Sequence, residues 1–188
     1  MILIQMLDSW VLHTLYGMRT VTDTLVMIDV SELGSVLVVL GLAAITAILL
    51  VRARDFVSTA ALMLAVGTTA VIVTGLKYII ARPRPDAFFQ AYPEIGHSFP
   101  SWHAAGSAAL YLSLAYIIAQ RIPTRRRWIA YVIGVALTIL IGFTRLYLGV
   151  HYASDVIAGW IIGTVCAYLS FKYAPRILKF PFVKKYIG

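Results

Sequence analysis

The chain has 188 residues, of which 61% are hydrophobic and only 13% charged, against about 25% charged in a typical soluble domain. A water-soluble core of this size cannot hide so much apolar surface, so intrinsic disorder, a secreted disulfide scaffold and a soluble nucleic-acid binder are all disfavoured. The single cysteine, Cys166, lies inside an apolar run; it has no intramolecular disulfide partner and reads as packing.

Residues 1–18 contain no Lys or Arg and so lack the basic start of a signal peptide. Leu3, Leu7, Val11, Leu15 and Met18 recur at helical spacing, while Gln5, Ser9 and His13 follow another stripe with Asp8 beside it. That pattern predicts a helix lying in the membrane interface. The rival reading, a further span, would bury Asp8 near its centre, where an unpaired carboxylate is costly. Five charge-free runs follow: Leu33–Val51, Phe56–Leu76, Ala104–Gln120, Trp128–Thr144 and Val156–Phe171. A membrane-crossing helix needs roughly 17–25 apolar residues. The last run is short, but Asp155 and Lys172 at its ends can sit at opposite interfaces, the lysine by snorkelling. The expected fold is therefore all-α, a polytopic transmembrane bundle of about five spans plus an N-terminal interfacial amphipathic helix. It forms one domain over residues 1–188, with 1–30 at the interface, a long outer loop at 82–101 and a basic tail at 173–188.

The pI of about 9.8 is explained by topology. One side of the membrane receives Arg52, Arg54, Asp55, Arg121, Arg125, Arg126, Arg127, Lys172, Arg176, Lys179, Lys184 and Lys185, a net of +10. The other receives Arg19, Lys77, Arg82, Arg84 and Arg145 with seven acids, a net of −2. The positive-inside rule makes the first side cytoplasmic and the long loop extracytoplasmic. Anionic inner-leaflet lipid accounts for the basic balance without nucleic acid.

The chemistry-bearing residues gather at the outer span ends. The second span closes with Lys77 and then Arg82-Pro83-Arg84-Pro85, and the prolines should end the helix near Ala81. The positive-inside bias depletes this end of cations, so three concentrated there suggest an anionic ligand. The third span opens with Ser98-Phe99-Pro100-Ser101-Trp102-His103, an N-terminal signature in which Ser101 caps the helix and leaves first-turn amides for an anion. The fourth span ends in Thr144-Arg145, followed by His151 and Asp155. If the fifth helix starts near His151, these two share one face. A carboxylate accepting Nδ1–H would fix the tautomer and leave Nε2 as nucleophile or base. Taken singly, a capping serine or a histidine at a helix start is most simply structural. Eight such residues, all at outer span ends, are not explained that way. A two-His-one-carboxylate metal set of His103, His151 and Asp155 is disfavoured because the surrounding cations repel a divalent ion. The small residues Ala104 to Ala109, Gly159 and Gly163 read as close helix packing. Trp10 and Trp128 read as interface anchors, and His97 as a polar loop residue.

These motifs resemble those of the type 2 phosphatidic acid phosphatase (PAP2) superfamily. Lys77 to Pro85 matches K-x6-R-P, Pro100 to His103 is similar to P-S-G-H, and Arg145 to Asp155 matches R-x5-H-x3-D. The resemblance covers residues 70–172. Trp102 stands where the family usually has glycine, and Thr144 where serine commonly precedes the arginine. The resemblance implies a metal-independent membrane phosphatase with no cofactor, acting at the outer face of a bacterial plasma membrane on a lipid-linked phosphate monoester or pyrophosphate. His151 would be the nucleophile that forms a phosphohistidine, Asp155 its orienting carboxylate and His103 the general acid. Lys77, Arg84, Ser101, Arg145 and the backbone N–H of Trp102 would hold the phosphoryl oxygens, and the Trp102 ring would narrow the pocket. Arg82 falls outside the pattern, as a further anion contact or a headgroup contact. A phosphotransferase using the same phosphohistidine, or a lipid-phosphate binding or transport protein without turnover, are the alternatives.

Overall fold

The computed structural model describes residues 2–178, and no strand occurs among them. Lys179, Lys184 and Lys185 of the expected basic tail lie outside the described residues. Seven helices follow in order: α1 (Ile2–Gly17), α2 (Val21–Glu32), α3 (Val36–Arg52), α4 (Phe56–Ile80), α5 (Trp102–Ala119), α6 (Arg127–Tyr147) and α7 (Ala153–Ile177). Short 3-10 turns occupy Ala87–Phe89 and Thr124–Arg126.

Among the described residues, four helices are long and apolar enough to cross a membrane alone: α4, α5, α6 and α7. α2 and α3, which meet at a bend of 40°, pass the same test as a pair, for up to five spans. α2 packs on α6 and leads into α3. The break has a local cause in Gly34 and Ser35, whose hydroxyl accepts from the Val38 amide at 3.3 Å and starts α3 three residues after Leu33. α1 has 16 residues, about 24 Å of helix, too short to cross the hydrocarbon core upright.

Helix ends follow their sequence signals. Asp55 caps α4 by accepting from the Ser58 amide at 3.0 Å. α4 stops at Ala81, which takes a left-handed conformation ahead of Pro83. Ser101 caps α5, accepting from the Ala104 amide. Because the spans alternate in direction, the end of α4, the start of α5, the end of α6 and the start of α7 share one face of the bundle. Arg121 and Asp55 pair at 2.5 Å on the opposite face.

α5 is the axis of the bundle, packed against α3, α4, α6 and α7. Ala104, Ala105, Ala108, Ala109 and Leu110 are inaccessible, while Leu37, Val71, Ile79 and Ile161 point outward, as expected where lipid is the solvent. Lipid gives spans no hydrophobic drive to associate, so close backbone approach has to hold them. α7 achieves it with Gly159 and Gly163: a Cβ at Gly159 would lie 2.7 Å from the Ser101 carbonyl oxygen, and one at Gly163 would collide with that of Ala105. This contact seats the start of α7 against the start of α5. Replacing Gly163 by Leu is expected to destabilise the bundle by about 2 kcal/mol or more, read as a lowered unfolding temperature in detergent. The same substitution at Gly67, where a Cβ meets nothing within 4 Å, should leave that temperature unchanged.

Candidate functional site

The long loop folds back over the shared ends of α4 to α7 and is pinned there by backbone bonds. Ala91 donates to Leu148 O at 2.9 Å and Ser98 to Arg82 O at 2.9 Å. Gly149, with φ +67°, turns the chain after α6; a Cβ there would strike the Phe89 carbonyl and the Arg19 guanidinium. The close approach therefore needs glycine.

His151 and Asp155 meet as expected, but the expected helix does not carry both. α7 begins at Ala153, and His151 stands in the turn before it. Asp155 makes that turn by capping its own helix, its Oδ2 accepting from the Tyr152 amide at 3.0 Å. Histidine Nδ1 lies 3.5 Å from this oxygen, and Ser98 fills the gap. The Ser98 hydroxyl sits 3.3 Å from Nδ1 and donates to Asp155 Oδ2, which leaves its lone pairs facing the ring. On the other side of the imidazole, Arg84 Nη1 lies 3.1 Å from Nε2. A guanidinium has no acceptor, so Nε2 must be the lone-pair nitrogen and Nδ1 must bear the proton. The tautomer is fixed from both sides. Burial is the main force on the ring's charge state: the imidazole is 2% exposed and its pKa is pushed down to about 4, with Arg145 and Arg84 adding to the effect and Asp155 opposing it.

Around Nε2 stands a cluster of cations from separate elements. Arg84 is held by Val150 O at 2.8 Å and Gly96 O at 3.1 Å. Arg145 is 1% exposed and donates to Ser31 Oγ at 2.7 Å and the Tyr92 hydroxyl at 2.5 Å. Lys77 Nζ donates to His97 O at 2.6 Å. Between the two guanidinia lies the Glu94 carboxylate, which accepts from Arg84 at 3.4 Å and pairs closely with Arg145. Arg145 Nε is buried without an acceptor.

His103, the second residue of α5, lies in the field of Arg145, His151, Arg84 and Lys77. Ser101 is inaccessible; its amide donates to Asp155 O at 3.1 Å. The amides of Trp102 and His103 come before the intrahelical bonding ladder begins. The Trp102 ring does not narrow the pocket as expected; it folds along α5 over Gly106 and packs on the core. Thr144 bonds its own helix through Ile141 O at 2.6 Å. The Arg82 guanidinium is taken up by Asp155 at 2.6 Å and Asp8 at 2.7 Å.

Sequence reasoning missed Ser98, Glu94, Tyr92, Ser31 and Asp8. Ser98 was visible in the motif but read as part of the helix start. Glu94 had a signal of its own, as one of two carboxylates, with Asp86, between the K-x6-R-P and P-S-x-H segments.

These features define a helical membrane protein with a neutral histidine, oriented by a serine and a carboxylate, facing a cluster of fixed cations. The chain belongs to the PAP2 superfamily, whose family profile matches residues 58–179. It is 32% identical over 121 residues to phosphatidylglycerophosphatase B of Bacillus subtilis, spanning 63% of this chain and 59% of that one. It is 30% identical over 133 residues to an undecaprenyl-diphosphatase of Sulfolobus acidocaldarius, spanning 67% and 60%. The aligned stretch thus spans about three fifths of these relatives' own length. Among solved structures, the PAP2-type phosphatidylglycerolphosphate phosphatase of Bacillus subtilis superposes with a TM-score of 0.85 at 28% identity, over 94% of this chain and 89% of that one. LpxE of Aquifex aeolicus gives 0.70 at 26% identity, over 89% and 96%.

The depressed pKa has a direct consequence. An imidazole with an ordinary pKa of about 6.5 is half protonated at that pH, whereas His151 should remain neutral at pH 6 and gain its proton only as pH falls toward about 4. Nitrogen-15 histidine NMR in detergent, with the resonance assigned through His151→Asn, measures this. A midpoint above 6 would contradict the burial argument.

Proposed function

We propose that the protein hydrolyses a lipid-linked phosphate monoester or pyrophosphate through a phosphohistidine on His151, at the extracytoplasmic face of a bacterial plasma membrane. The observation that carries this reading is the Glu94 carboxylate held between Arg84 and Arg145, beside the lone pair of a neutral histidine. A carboxylate already occupies the cluster, yet among the described residues it leaves Arg145 Nε without an acceptor, and a buried donor left unpaired costs about 1–3 kcal/mol. A phosphoryl group brings three equatorial oxygens to the same donors.

In the proposed reaction, phosphate displaces Glu94 and is held by Arg84, Arg145, Lys77 and the free amides of Trp102 and His103. Nε2 of His151 attacks phosphorus; a P–N bond forms as the P–O bond to the lipid breaks, and His103 protonates the departing oxygen. The proton on Nδ1 stays shared with Ser98 and Asp155 as positive charge develops on the ring. Water, deprotonated by His103, then cleaves the P–N bond, releasing inorganic phosphate and restoring neutral His151. Phosphoryl transfer of this kind needs positioning and charge neutralisation above all, and fixed guanidinia supply both without a metal. The phosphatase names of the relatives support the reaction class. The bundle admits the lipid tails sideways, between helices whose outward faces are apolar.

His151→Asn should abolish phosphate release, by about 1,000-fold or more, from a panel of phosphatidate, phosphatidylglycerophosphate, polyprenyl pyrophosphate and lipid A in the presence of EDTA. Loss of wild-type activity on adding EDTA would overturn the metal-free route. Glu94→Gln removes a competing charge from the cluster, and the expected result is a several-fold lower KM or tighter inhibition by vanadate. A higher KM would instead make Glu94 a partner of the substrate.

A further inference from the structure

The N-terminal helix reaches the catalytic carboxylate. α1 leaves Leu3, Met6 and Trp10 exposed and buries only Asp8 and Leu12. Asp8 is spent on two residues. Its Oδ1 accepts from the Ser154 amide at 2.8 Å, and its Oδ2 accepts from the Ser154 hydroxyl at 2.7 Å and from Arg82 Nη2 at 2.7 Å. Arg82 in turn donates from Nη1 to Ser154 Oγ at 2.7 Å and to Asp155 Oδ1 at 2.6 Å, with its guanidinium 4.2 Å over the Tyr152 ring.

The energetics argue against a mere anchor. Burying an ion pair costs desolvation that apolar packing avoids, so a helix that only needed fixing would use another leucine. What the ion pair adds is direction. A guanidinium forks rigidly, and with Nη2 fixed by Asp8 the other arm, Nη1, is held on Ser154 Oγ and Asp155 Oδ1. The two oxygens of Asp155 are then held separately, Oδ1 by Arg82 and Oδ2 by Ser98 and Tyr152. Without Asp8, Arg82 has an alternative, since its side chain is 25% exposed and free to turn to water.

We propose that Asp8 is a positioning residue, which through Arg82 fixes the Asp155 carboxylate and so ties the seating of α1 at the lipid surface to the orientation of His151. This rests on His151 being the nucleophile, so the test has one readout that needs no turnover. In nitrogen-15 histidine spectra of the full-length protein in detergent, Asp8→Asn and Arg82→Gln should both move the His151 ring signals that report its Nδ1–H tautomer. Arg82→Gln leaves the bonds from Asp8 to Ser154 in place, so α1 stays docked while the link to Asp155 is cut. Unmoved signals in both variants overturn the proposal. In turnover on the lipid panel, each variant should lower kcat about tenfold with KM within about twofold. Asp8→Asn should cost less than about twofold more in an Asp155→Asn background, because residues acting through one another are not additive. Equal losses in both backgrounds, a change confined to KM, or wild-type kcat in Arg82→Gln would each overturn it. A purely structural role lowers the unfolding temperature and leaves the His151 signals and kcat of the folded protein where they were. Shifted signals with no turnover in the wild type would sustain the coupling and refute the phosphatase reading.

Discussion

A guanidinium buried at the end of a membrane span must find its acceptors inside the protein, and Arg145 sets this requirement for its whole end of the bundle. At 1% exposure it has no water to fall back on, and an unpaired buried charge is among the most destabilising features a chain can carry. Its three partners come from two places: Ser31 at the end of α2, and Tyr92 and Glu94 in the long loop. The bend between α2 and α3 brings Ser31 within reach, and Gly34 lets that bend sit against His103, whose carbonyl oxygen would lie 3.2 Å from a Cβ there. The loop is therefore folded onto the bundle by the same charge that a substrate anion would claim. A cluster that stayed empty of anions would have three like charges repelling one another; Glu94 resolves this by standing in the middle.

The same logic governs the histidine. A buried carboxylate beside a buried imidazole normally drives the imidazole toward its protonated form. Here Asp155 is neutralised on its far side by Arg82, itself balanced by Asp8, and Arg84 presses on the other nitrogen. The ring is left neutral with its lone pair toward the cations. The ring and the carboxylate held by the cluster thus belong to one charge arrangement, running outward from Asp8 through Arg82 and Asp155 to His151 and then Arg84 and Glu94.

Much of this was legible in the sequence because it is written in one-dimensional signals. Charge-free runs give the spans, proline and serine give the ends of α4 and the start of α5, and the spacing of His151 and Asp155 brings them together even though α7 starts two residues later than a shared helical face requires. The alternation of span directions then gathers Lys77, Arg84, His103, Arg145 and His151 on one face with no further information. What stayed hidden depends on partners distant in sequence. Asp8 and Arg82 are 74 residues apart, and nothing near Asp8 announces that a guanidinium will meet it. The costly case is an unpaired carboxylate, and Asp8, though buried, is paired with Arg82 and Ser154. Glu94 and Tyr92 sit in irregular backbone, where no periodicity reports direction. Trp102 was read against a glycine pattern, but side chains in a first helical turn are free to fold along their own helix, and Gly106 one turn later provides the space.

That last pairing bears on how the site tolerates its departure from the family pattern. The glycine of P-S-G-H matters for an anion site only if the anion needs the room above it or the backbone needs a conformation closed to other residues. α5 begins at Trp102 with ordinary helical geometry, so the second condition does not apply. The first is met by direction: the indole leans over Gly106 and onto the core, leaving the amide at the helix start uncovered. A tryptophan with a small residue four positions later thus keeps its ring along its own helix and adds apolar packing there. Gly106 belongs with Trp102 in any account of how this chain accommodates the ring.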